Sequence, residues 1–221
     1  MSDLLTARLE SPLHAFGLPA QASAPTAHDR VLACEIANLA YVVLRGRAVD
    51  PAFMHAVAAV LGQPLPTTPM TLMSTPAGVV LWISPDEWLL VARRAARHGL
   101  MASLTAGLQD VFAQVVDNSG GYTAVRLAGP DHLLWLRHLG PYNFENLALG
   151  RCAATVASKT GFTVARTDAA GVVLVFRRSF ADYTWRLLER TARPYGLRIT
   201  TPEQCADPMF TPLIDHAFDN P

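Results

Sequence analysis

The sequence predicts an α+β (mixed α/β) fold made from two copies of one strand–helix–strand unit. Three observations predict it. Apolar, β-branched runs alternate with stretches at helical spacing from residue 36 to 199. A strand, a glycine and proline signal, and a helix at Tyr41–Gly62 return in the same order at Tyr122–Gly140, 81 residues later. Ala77-Gly78-Val79-Val80-Leu81 then recurs letter for letter as Ala170-Gly171-Val172-Val173-Leu174, 93 residues later. The growing offset implies about a dozen extra residues inside the second copy. Two equal units of this kind are expected to pair through a common sheet with pseudo-two-fold symmetry.

Each element has a local reason. Ile36–Leu44 is an apolar and β-branched run, read as one strand. Asp50 is a good N-cap with Pro51 behind it, and Phe53, Val57, Val60 and Leu61 share a helical face before Gly62 ends the helix. Pro64, Pro66 and Pro69 enforce an extended link. Val79–Ile83 and Trp88–Ala92 read as strands around the turn Ser84-Pro85-Asp86-Glu87. Gly99–Phe112 reads as an amphipathic helix. In the second copy Tyr122–Leu127 is a strand and His132–Leu139 a helix. Cys152–Ala157 follows, then a hairpin of Phe162–Arg166 and Val172–Arg177. Phe180–Thr191 is a helix, with Ser179 as its N-cap and Asp182 at the capping-box position. This gives an extended N-terminal arm at 1–30, a body at 31–200 with repeats near 36–112 and 122–199, and a proline-broken tail at 201–221. The sticky Met209, Phe210, Leu213, Ile214 and Phe218 place that tail against the body or a partner.

Composition narrows the function. Eighteen basic and eighteen acidic residues cancel, so neither nucleic acid nor a membrane surface is an expected partner. Half the chain (51%) is hydrophobic and only 16% charged, which favours a surface hidden against another protein. Three separated cysteines, Cys34, Cys152 and Cys205, offer no disulfide framework or zinc motif and suit a reducing cytoplasm. No signal peptide or membrane-spanning run is expected.

No residue pattern stands out as catalytic. Asp86 and Glu87 are adjacent on a strand start, so alternation aims them at opposite faces and prevents them from sharing a proton. The seven histidines lack metal-ligand spacing. Asp117-Asn118-Ser119-Gly120-Gly121 is a polar turn without the lysine or spacing of a phosphate loop. Arg177 and Arg178 precede a helix, either as solvated arginines or as a grip on a partner's acidic rim.

Two motifs carry a family resemblance. Pro85-Asp86-Glu87-Trp88-Leu89-Leu90 after an apolar strand, and Arg178-Ser179-Phe180-Ala181-Asp182-Tyr183-Thr184-Trp185, resemble the gamma subunit of heterotetrameric sarcosine oxidase. Gly62–Pro69 and Gly150-Arg151-Cys152-Ala153 look like the same family, and the resemblance covers about residues 40–195. It implies the duplicated fold of the folate-binding domain of aminomethyltransferases and a non-catalytic assembly role. FAD, FMN, NAD, zinc and tetrahydrofolate would be handled by the alpha, beta and delta subunits, with none bound here. Asp86, Glu87, Trp88, Arg178, Phe180, Asp182, Tyr183 and Trp185 carry over only as structural or interface positions. Sister complexes acting on other N-methylated amino acids would use a similar subunit. The rival is a free-standing folate-binding or aminomethyltransferase-like protein.

Overall fold

The structure, a computed structural model, describes residues 10–215. The first nine residues of the expected arm, and His216, Phe218 and Pro221 of the expected tail, lie outside the described residues.

A short helix α1 (Leu18–Gln21) precedes β1 (Val31–Ile36) and β2 (Leu39–Arg45). There follow α2 (Pro51–Leu61), β3 (Leu72–Thr75), β4 (Gly78–Ser84), β5 (Glu87–Arg93), α3 (Arg97–Gly107) and β6 (Gln114–Asp117). The second series is β7 (Tyr122–Ala128), α4 (His132–Leu136), β8 (Arg151–Ala157), β9 (Thr160–Arg166), β10 (Gly171–Arg177), α5 (Ala181–Ala192) and β11 (Leu197–Ile199). The α2 helix starts as its sequence dictates: Asp50 accepts from the Ala52 amide at 2.9 Å, and Gly62 ends it in the left-handed region.

The expected common sheet is instead two sheets. One has the order β3-β4-β5-β2-β6 and the other β11-β1-β7-β10-β9-β8. Their central strands are apolar on both faces, which requires cover on both sides. In β5, Trp88, Leu90 and Ala92 face the core beneath α2 and α3, while Leu89 and Val91 face the opposite sheet. In β10, Val172, Leu174 and Phe176 face the core beneath α4 and α5, and Val173 and Val175 meet the other sheet. Among the described residues the result is four layers, helix–sheet–sheet–helix, around three large apolar cores. Phe210, near the C-terminus, is buried in the middle one.

The single strand expected at Ile36–Leu44 is two strands. Asn38, at φ 61°, turns the chain between them, so β1 joins one sheet and β2 the other.

The duplication holds in topology, but not in the register the repeated letters imply. The orders superpose β3 on β8, β4 on β9, β5 on β10 and β2 on β7; β11 answers β6, with β1 inserted beside β7. The strands opening at Glu87 and Gly171, and the helices opening at Arg97 and Ala181, are each 84 residues apart. Arg93-Arg94 thus answers Arg177-Arg178, each pair passing from a strand into a 3-10 turn and a helix. The second copy has therefore gained almost no residues over this span. Ala77–Leu81 and Ala170–Leu174 lie on the non-equivalent strands β4 and β10. Their shared glycine has a local cause: a Cβ on Gly78 would stand 2.2 Å from the Val91 carbonyl oxygen, and one on Gly171 2.3 Å from that of Leu127.

Candidate functional site

The first sequence motif forms the tip of the β4–β5 hairpin. The Ser84 hydroxyl donates to Asp86 at 2.7 Å, and Arg45 on β2 reaches both Asp86 (3.5 Å) and Glu87 (3.3 Å). Asp86 sits in the turn, where strand alternation does not apply, so the two carboxylates converge on one guanidinium. The Ser84 hydroxyl, and then Arg45, hold Asp86 below its ordinary carboxylate pKa. Trp88 is fully buried; its ring packs 5.7 Å from Phe53 and its indole N–H donates to the Pro66 carbonyl at 2.8 Å. This places the proline link over the core.

The second motif lies in a different layer. Ser179 does not cap α5: residues Arg178–Phe180 form a 3-10 turn and the helix opens at Ala181 with no side-chain cap. The turn forms because the Arg178 amide continues the strand by donating to Gly121 at 2.9 Å. Asp182 pairs with Arg186 one turn on, at 3.0 Å. Trp185 is fully buried in the core beneath α5, while Phe180 and Tyr183 remain 42% and 36% exposed. Arg178 donates to the Glu10 carbonyl at 3.1 Å, and Arg177 lies 5.4 Å over the Tyr122 ring. Next to Phe180 a groove of about 270 Å³ runs between Tyr122, Phe162, Phe176 and Arg177. Trp88 and Trp185 belong to the two outer cores, so the structure keeps the motifs apart.

A third constellation was invisible in the sequence. Arg126 on β7 is 1% exposed and pairs with the buried Asp207 and, at 2.7 Å, with Asp168. Thr167 donates to Asp207 as well, and the Met209 and Phe210 amides each donate to it at 2.9 Å. Arg126 also forms part of a cavity of about 480 Å³ with His132, Cys205, Leu32 and the small residues Ala128, Gly129, Ala169 and Ala170. His132 donates from Nδ1 to the Gly129 carbonyl at 2.8 Å; burial lowers its pKa and keeps the ring neutral. Among the described residues no group of three His, Cys, Asp or Glu is placed to hold a metal.

Comparison with known proteins fits this arrangement. The sarcosine oxidase, gamma subunit family matches residues 45–193. The chain belongs to that family. This gamma-family chain is 33% identical over 142 residues to a sarcosine oxidase subunit gamma from Arthrobacter sp, covering 62% of this chain and 69% of that one. It is 32% identical over 132 residues to one from Corynebacterium sp. (strain P-1), covering 58% and 64%. Its fold matches a chain of heterotetrameric sarcosine oxidase from Corynebacterium sp. U-96 with a TM-score of 0.74 and 26% identity, across 85% of this chain and 96% of that chain. A glycine cleavage system aminomethyltransferase T from Bartonella henselae shares the fold at a TM-score of 0.62 and 13% identity, over 86% of the gamma-family chain and 58% of its own.

Proposed function

We propose that this chain is a non-catalytic, gamma-type assembly subunit of a heterotetrameric, flavin-dependent complex that oxidatively demethylates an N-methylated amino acid. The carrying observation is the match to 96% of a chain of heterotetrameric sarcosine oxidase at 26% identity. Its partners are the alpha, beta and delta subunits, and its compartment is the cytoplasm; no helix among the described residues is long and apolar enough to cross a membrane. FAD, FMN, NAD, zinc and tetrahydrofolate are handled by those other subunits. The side chains here support that division. Arg126, the buried cation, is already neutralised by Asp168 and Asp207, and Arg45 by Asp86 and Glu87.

The face that meets a partner is the start of α5. Phe180 and Tyr183 stand three residues apart across its first turn, next to the groove floored by Phe162 and Phe176. Exposed aromatics flanked by arginines such as Arg177 and Arg178 have the composition of an interface anchor. Arg186 and Asp182 form its polar rim. Asp86, Glu87, Trp88 and Trp185 hold the fold behind it.

Co-expression with the genomic neighbours tests the reading. The untagged chain should elute from a sizing column with the larger subunits, and elution alone would sink the proposal. Saturable binding of tetrahydrofolate to the isolated chain would instead favour a free-standing folate protein.

A further inference from the structure

Cys34 and Cys205 are 171 residues apart in sequence and share one small buried cluster with Ala128. Cys34 lies on β1, and its thiol faces the Cys205 carbonyl oxygen at 3.9 Å. Cys205 closes a turn on Thr201 and lines the 480 Å³ cavity; Cys34 does not line it. Arg126 belongs to the wall of the same cavity, and its Nε–H is buried without a hydrogen-bond acceptor. A small solute in the cavity would therefore meet Cys205 in its wall, with Cys34 packed against Cys205 outside the lining and the Arg126 positive charge close by.

We propose that Cys205 and Cys34 form a dithiol site whose substrate is hydrogen peroxide, with Cys205 as the attacking sulfur and Cys34 as the resolving one. The Cys205 thiolate attacks one peroxide oxygen and the O–O bond breaks. Hydroxide leaves and takes a proton to become water, and Cys205 becomes a sulfenic acid. Cys34 then attacks the Cys205 sulfur, the S–O bond breaks, and a second water leaves as the disulfide forms. The two sulfurs lose two electrons together, and the peroxide takes up both.

Electrostatics favour this order. The neighbouring Cys34 thiol, and then the Arg126 guanidinium, hold the Cys205 thiol below its ordinary value, whereas its neighbour and burial push Cys34 up. Cys152 supplies an internal control. It is buried in the middle core, faces the Thr71 and Trp82 carbonyls at 3.5 Å, and burial pushes its thiol up to about 12.

The full chain, alone and in its co-purified complex, is exposed to hydrogen peroxide at neutral pH and quenched with N-ethylmaleimide. Non-reducing peptide mass spectrometry should find the Cys34 and Cys205 peptides joined, short of two hydrogens, with Cys152 still a thiol. Oxidation at Cys205 should outpace that at Cys152 by about tenfold or more. In Cys34→Ser, dimedone should label Cys205. The proposal is overturned if the wild-type cross-link fails to form under conditions that oxidise free glutathione. Labelling of Cys152 as fast as Cys205 would overturn it too.

Discussion

The Arg126 guanidinium on β7 and the Asp207 carboxylate in the C-terminal segment meet where solvent reaches neither side chain. Asp207 also receives the Met209 and Phe210 amides, so the same carboxylate that neutralises Arg126 shapes the turn that inserts Phe210 between the sheets. Charge pairing and apolar burial thus fasten the segment around Asp207 and Phe210 jointly.

Removing one partner should be far worse than removing both. Asp207→Ala leaves a buried cation facing only the partly exposed Asp168, and should cost about 3–5 kcal/mol in urea unfolding. Arg126→Met combined with Asp207→Ala should recover part of that loss. A double variant no more stable than the single would show that the pair is not the source.

Glu35 on β1 gives a pH signature. It accepts hydrogen bonds from Ser11 and, at 2.8 Å, Thr123, but burial outweighs them and raises its pKa above the ordinary 4.5. The folded state therefore binds the proton more readily than the unfolded chain. Stability contributed here is present below 4.5 and is lost as pH rises through the raised folded value. Glu35→Gln should be no better than wild type in acid and more stable at neutral pH. An unchanged difference across the titration would contradict this.

Two glycines should respond with opposite sign. Gly78 has φ 147° and no room for a Cβ, so Gly78→Ala should destabilise by more than about 1 kcal/mol. Gly99, inside α3, faces open space, and Gly99→Ala should stabilise by roughly 0.5–1 kcal/mol. Thermal melts of the two variants read both.

Elements whose information is local were legible in the sequence. The α2 helix, with its Asp50 cap and Gly62 stop, and the β4–β5 hairpin were readable from neighbouring residues. The three-residue β11 and the half-exposed β6 were not, because edge strands that short carry too little alternation. The split at Asn38 was hidden by apolar residues on both sides of it. The repeated five letters were real but misleading, since they report a glycine's local crowding and not the ancestral register. Arg126, Asp168, Asp207, Cys34 and Cys205 meet only through tertiary structure, and no spacing announces them. The two family motifs led to the right fold, although they pack in separate cores.

Phe180 and Tyr183 separate assembly from folding. Phe180→Asp with Tyr183→Ser removes half-exposed aromatic surface, so unfolding free energy should fall by only about 1–2 kcal/mol and leave the chain folded. Retention on a tagged partner subunit should nevertheless be lost. Undiminished retention would move the interface elsewhere.

Native mass spectrometry of the co-expressed, untagged assembly tests the subunit reading most directly. It should give one particle containing four different chains, one of them the 23.9 kDa chain. A 23.9 kDa species by itself, beside a complete and active complex that lacks it, would contradict the account.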